Sequence, residues 1–135
     1  MNLLITGING FIGTNLYHNF NRKFTITGVD ISKDEDKSDC KIYTWKDLGD
    51  IPEIDAIIHL AGIAHDTQDL ADESKYYEIN VGITKQIYEY YLNSSAKKFI
   101  YFSSVKAIAD TVSGDFLTEE DEPNPLTPYG KSKLE

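Results

Sequence analysis

Two periods of apolar residues alternate along the chain. Leu3, Leu4 and Ile5 form a short unbroken run that predicts a buried strand over residues 2–6. Ile12, Leu16 and Phe20 then fall four apart, which predicts a helix over 11–20. Phe24–Val29 predicts a second strand, closed by Asp30, and Lys41–Trp45 a short third one. Asp55–Leu60 is a continuous apolar run, the pattern of a strand covered on both faces. From about Asp69 to Asn93 the period turns helical, with Tyr76, Ile79, Ile83, Ile87 and Tyr90 on one face and Tyr77, Tyr88 and Tyr91 on the outer positions. Lys97–Phe102 predicts a fifth strand, and Tyr129–Glu135 opens another helix. Two stretches lack a period. Residues 31–40 are polar and predict a loop or a single turn, and residues 110–128 form an acidic, proline-bearing loop. Strands alternating with helices predict an α/β fold built on a parallel sheet.

Composition narrows this picture. At 135 residues the chain is expected to be one domain, residues 1–135, with a proper core. Thirteen basic residues against 22 acidic ones leave a net charge of −9, which argues against a nucleic-acid partner. The single cysteine, Cys40, stands in a polar segment, so neither a disulfide framework nor a cysteine-rich metal site is expected, and a reducing compartment fits. A strand that begins almost at Met1 leaves no room for a signal peptide, and no apolar run nears membrane-spanning length. A cytoplasmic protein with no membrane partner is the expectation.

The glycines Gly7, Gly10 and Gly13 lie between the first strand and the first helix in the spacing G-x-x-G-x-x-G. A helix fed by a strand presents unpaired N–H groups and the positive end of its dipole, a site for a pyrophosphate. The alternative is a glycine-rich turn without a ligand. Asp30 falls 17 positions after Gly13, where a carboxylate at a strand end can accept ribose hydroxyls and repel a 2′-phosphate. NAD is therefore favoured over NADP; a turn-capping role is the alternative. Asp47-Leu48 stands at a strand end where an adenine could sit, and Leu60-Ala61-Gly62 is small enough for a ligand to lie on the backbone. His59 reads as a packed strand-end histidine, whereas His65 is more exposed and a candidate for touching substrate. Asn80 lies inside a helix, where a buried amide needs partners. Tyr129 and Lys133 stand four apart on one helical face, where an ammonium stabilises a phenolate. Ser104, at the end of the fifth strand, could hold a substrate oxygen.

Taken singly these features say little; their order says more. Glycine turn, Asp30, His-Leu-Ala-Gly, Asn80, Ser-Ser and Tyr-x-x-x-Lys together resemble the extended short-chain dehydrogenase/reductase family, and within it the NAD-dependent sugar-nucleotide epimerases and dehydratases. The resemblance implies a Rossmann-type, doubly wound parallel sheet of about five strands in the order 3-2-1-4-5, with the C-terminal part of the fold and the substrate lobe missing. It implies that Gly7, Gly10, Phe11, Ile12 and Gly13 hold the pyrophosphate and Asp30 the adenosine ribose. Asp47 and Leu48 would flank adenine; Leu60, Ala61 and Gly62 would line the cofactor cleft; Asn80 would hold the active-site architecture. Ser104, Tyr129 and Lys133 match the catalytic trio, with Tyr129 as acid/base and Lys133 also on the nicotinamide ribose. The implied substrate is a nucleotide-sugar, a UDP-sugar by preference, and the implied full-length protein is a homodimer.

The chain departs from the family pattern in places. Gly62 for the alanine that usually ends His-Leu-Ala-Ala is a small change, and Ala107-Ile108-Ala109 replaces the common Val-Tyr-Gly after Ser104. Ser104-Val105-Lys106 stands where 4,6-dehydratases have Thr-Asp-Glu, which disfavours that elimination and leaves a 4-epimerase or a 4-keto reductase. A dinucleotide-binding module without chemistry is the reading from another class. The 135-residue chain by itself is expected to bind NAD without turnover.

Overall fold

A computed structural model describes residues 1–32, 37, 39–63, 73–112 and 114–135. Strands β1 (Asn2–Thr6), β2 (Thr25–Val29), β3 (Lys41–Tyr43), β4 (Ala56–His59) and β5 (Lys98–Tyr101) form one sheet in the order β3-β2-β1-β4-β5. Every pairing is parallel; Ile5 stands opposite Gly28 on one side and Ile58 on the other. The helices are α1 (Phe11–Phe20), α2 (Ser74–Tyr76), α3 (Gly82–Leu92) and α4 (Pro128–Leu134), with a π-helical turn Tyr77–Val81 between α2 and α3. The chain divides into two compact units, Met1–Ala61 with Lys85–Phe102, and Gly62–Thr84 with Ser103–Glu135.

The first unit holds the sheet. Successive residues of a strand point to opposite faces, and here both faces are covered. Leu4, Val29, Tyr43 and Ile57 pack with Ile87 of α3 on one side. Ile5, Ile26, Ile42 and Ile58 pack with Tyr17 of α1 on the other. This double burial is why the strands read as unbroken apolar runs. β2 and β3 are shorter than their runs at one end and β4 and β5 at both; Phe24, Trp45 and Leu60 still pack on the core from outside the ladder.

Two sequence expectations are corrected, those on the helical faces, and the structure also places Cys40. Ile12 is 46% exposed, and α1 buries Gly13 and Tyr17, with Leu16 and Phe20 packed alongside; the inner stripe starts one residue later than the periodicity suggests. Cys40 is buried in the α1-side core despite its polar neighbours, and burial pushes its thiol up to about 11. The second helical run is broken by the π turn, which adds a residue and rotates the inner face. Asn80 and Val81 are therefore buried beside Tyr76, Ile79 and Ile83 are only half-buried, and Tyr91 packs on the core. The described part of this run starts at Glu73, and α2 at Ser74; Asp69 and His65 lie outside the described residues.

Candidate cofactor turn and catalytic helix

The glycine turn is shaped by close backbone approach. Gly7 has φ +69°, and a Cβ there would stand 2.9 Å from the Ala61 backbone. A Cβ on Gly13 would collide with the Gly7 carbonyl oxygen and lie 2.6 Å from Ile8 Cα. Gly10 donates its N–H to the Gly7 carbonyl (3.0 Å) and is the N-cap of α1. No side chain caps this helix and no acidic residue stands in its first turn. Its leading N–H groups, those of Phe11, Ile12 and Gly13, have no partner within the helix, the arrangement an anion needs. Phe11 is 86% exposed beside them.

Asp30 closes β2 next to this turn. Its Oδ2 accepts from the Asn9 N–H (2.9 Å) and its Oδ1 from the Ile31 N–H (2.8 Å). Asn9 donates its amide to the Ser32 carbonyl (3.0 Å) and accepts from Lys37 Nζ (3.1 Å), so turn and strand end are tied together. Asp47 accepts from Thr44 N–H and Oγ1 at the end of β3 (3.2 and 2.8 Å), and the Leu48 side chain is in the core. Thr6, fully buried, orders the turn after β4. Its Oγ1 accepts from the Leu60 and Ala61 N–H groups (3.2 Å each) and lies 2.6 Å from His59 Nδ1. With both lone pairs of Oγ1 so engaged, the hydroxyl proton goes to Nδ1 and the ring proton of His59 to Nε2. His59 is fully buried, between Trp45, Phe99 and Tyr101. It is a packing residue, as its position on the strand suggests.

The catalytic candidates lie in the second unit. Ser104 caps the 3₁₀ turn Val105–Ala107, its Oγ accepting from the Lys106 N–H (3.2 Å). Tyr129 and Lys133 stand on α4, whose N-cap Thr127 accepts from the Gly130 N–H (3.2 Å) and whose first position is Pro128. Gly130 packs against the Lys106 carbonyl so closely that a Cβ would collide with it; this fixes α4 against the turn after Ser104. Asp110 clamps the approach to α4. It accepts from Leu126 N–H (2.6 Å), Thr127 N–H and Thr127 Oγ1 (3.1 Å each), and pairs with Lys106 Nζ (3.4 Å). Those donors, the Leu126 N–H foremost, lower the Asp110 pKa. Lys133 is buried, and burial pulls its ammonium down to about 8. Tyr129 packs near the ring of Tyr76 (6.4 Å between centroids).

Asn80 finds the partners a buried amide requires. Its Oδ1 accepts from the Ile63 N–H (2.8 Å), and its Nδ2 donates to the Ile63 carbonyl (3.1 Å) and to Ser132 Oγ (2.9 Å). Ser132 and Asp110 were not singled out by sequence reasoning. The only local signals were the Thr127-Pro128 start of a helix and the position of Ser132 between the two α4 lysines.

A parallel sheet in the order 3-2-1-4-5, with a glycine turn after its first strand, defines a Rossmann-type α/β protein. The model of the NAD dependent epimerase/dehydratase family matches residues 3–135, and the chain belongs to that family. A UDP-glucose 4-epimerase from Vibrio cholerae is 28% identical over 144 residues, covering 98% of this chain and 44% of the relative. Among solved structures, MoeE5 in complex with UDP-glucuronic acid and NAD superposes with a TM-score of 0.86 at 26% identity, over 99% of this chain and 46% of that one. A UDP-glucuronic acid 4-epimerase from Bacillus cereus, in complex with UDP-glucuronic acid and NAD, gives 0.81 at 26% identity, over 99% of this chain and 49% of that one. The chain thus spans about half the length of the relatives it matches. Among the described residues no helix is long and apolar enough to cross a membrane.

Proposed function

We propose that this chain supplies the NAD-binding and acid/base parts of a nucleotide-sugar 4-epimerase. The single observation that carries the reading is α4: Tyr129 and Lys133 share one helix, Lys133 is buried, and the helix is held by Thr127, Asp110, Gly130 and Ser132. Such fixation is what a proton-transfer pair needs and a passive binding module does not. The uncapped N-terminus of α1 and its close-packed glycines fit a dinucleotide pyrophosphate, and NAD complexes among the similar structures support that cofactor.

In this reading Gly7, Gly10, Phe11, Ile12 and Gly13 present backbone N–H groups to the pyrophosphate, and Asp30 exchanges its backbone donors for ribose hydroxyls. NAD, when bound, supplies a hydride acceptor. Tyr129 takes the proton of the sugar C4 hydroxyl as the C4 hydride leaves, and Ser104 holds the same oxygen. Lys133, at about 8, is still largely protonated at neutral pH and supplies the cation of the pair, one helical turn from Tyr129. The 4-keto sugar, turned over, takes the hydride back on its other face while Tyr129 returns the proton. Val105 and Lys106 offer no carboxylate for 4,6-elimination, so the dehydratase reaction is disfavoured.

The test follows the C4 proton by NMR when the protein carrying this chain is incubated with NAD and either UDP-glucose or UDP-glucuronic acid. Inversion at C4, abolished by Tyr129→Phe, is expected. Net oxidation without inversion, or no change in either sugar, would overturn the epimerase reading.

A further inference from the structure

We propose that Ser132 is a positioning residue that ties the Asn80 side chain to the backbone of Tyr129, and that glycine at position 62 is what allows the tie. The proposal rests on Tyr129 and Lys133 being the working pair; its geometry is independent of that reading.

Asn80 is 1% exposed and Ser132 2%. Both are buried polar groups whose placement costs free energy unless every polar atom is used. Their inventories close. The two Nδ2 protons of Asn80 go to the Ile63 carbonyl and Ser132 Oγ, and its Oδ1 receives the Ile63 N–H. Ser132 Oγ receives the Asn80 proton and donates its own to the Tyr129 carbonyl (2.8 Å). The result is a directed chain, Asn80 to Ser132 to Tyr129, entering α4 beside both candidate catalytic residues. Asn80 reaches inward because it lies in the π turn, where the extra residue turns it onto the buried face. α4 is only seven residues long and owes little stability to its own hydrogen bonds, so external ties set its position.

Gly62 enters through space. A Cβ on it would stand 2.8 Å from Asn80 Oδ1, inside van der Waals contact. The amide cannot swing aside, because that oxygen holds the Ile63 N–H and the opposite end of the group holds Ser132. An alanine at 62 therefore forces Asn80 Oδ1 or the 62–63 main chain to shift, which strains the Asn80–Ser132 bond. In this chain the direct tie goes with the glycine.

The experiment observes the Asn80 side-chain amide by NMR in the ¹⁵N-labelled chain. It also measures the acylation of Lys133 relative to exposed Lys131 by mass spectrometry. In the unmodified chain both Nδ2 protons should exchange slowly. Ser132→Ala should cost one of them about tenfold or more of its protection while sparing the other, and raise the Lys133/Lys131 ratio. Gly62→Ala should disturb the same resonances, and the double variant should do little more than either single one, since both cut the same link. Ile57→Val, a core change in the other unit, serves as the control: it should lower stability and leave the ratio alone. An unchanged amide in Ser132→Ala, an unchanged Lys133 ratio, or additive effects in the double variant would each overturn the proposal. Failure of NAD to bind a chain that passes these tests would instead count against the proposed function.

Discussion

The glycine turn and the neighbourhood of α4 solve the same problem, holding groups in place for chemistry, in opposite ways. The turn is built from backbone: Gly7 and Gly13 are where they are because main-chain atoms approach too closely for any Cβ. The α4 neighbourhood is built from side chains, with Asp110, Thr127, Asn80 and Ser132 linking segments far apart in sequence. A backbone device tolerates no added atom. A side-chain device loses strength in steps as its members are removed, and it responds to pH because some members titrate.

The sharpest break in that contrast is Gly13→Ala. Its methyl meets the Gly7 carbonyl and Ile8 backbone, neither of which can rotate away. Overpacking of this kind costs about 1–3 kcal/mol of stability or more. Urea unfolding should register that loss, and NAD titration should show binding abolished. Asn80→Ala comes next. It leaves the Ile63 N–H and carbonyl and Ser132 Oγ without their partner, and urea unfolding should show a loss of about 1–3 kcal/mol. A loss under ~0.5 kcal/mol would mean the network is slack. Asp30→Ala removes the acceptor of the Asn9 and Ile31 N–H groups, so it should cost about 1 kcal/mol of stability and weaken NAD about tenfold or more, a charge-assisted hydrogen bond being worth about 1.5–3 kcal/mol. Equal affinity for NAD in that variant would remove Asp30 from the ribose site.

The effects of pH separate two members of the α4 network. The Asp110 pKa is lowered in the fold, so its contribution is present above the ordinary carboxylate value of 3.8 and lost as pH falls through the lower folded value. Lys133 is also lowered, from 10.5 to about 8, but as a cation, so the unfolded chain binds more protons between those values. Its contribution to stability should therefore increase from pH 8 toward 10.5. Thermal unfolding scans should show that increase flattened in Lys133→Met and the acid limb reduced in Asp110→Asn.

What the sequence disclosed follows the same division. The strand runs and the first helix were legible because their periods are local and the sheet is covered on both faces. The glycine turn was legible because backbone constraints leave their mark at fixed spacing. Ile12 was misjudged because four-residue spacing defines a stripe without saying which edge faces the sheet. The π turn left no compositional sign, so Ile79 and Ile83 were placed on the inner face where Asn80 and Val81 are buried, whereas Ile87 and Tyr90 beyond it were placed correctly. Cys40 stands among polar neighbours in the sequence, and its burial comes from the cluster that Tyr17, Ile26 and Ile42 bring together. Ser132 and Asp110 act through partners 52 and 16 to 17 positions away, a distance no local pattern records.

The most direct test of the account is calorimetric titration of the chain with NAD and, in parallel, NADP. The account predicts saturable NAD binding that is weaker for NADP, lost in Gly13→Ala and kept in Tyr129→Phe. A chain that circular dichroism reports as folded, yet gives no binding heat with either dinucleotide, would contradict it.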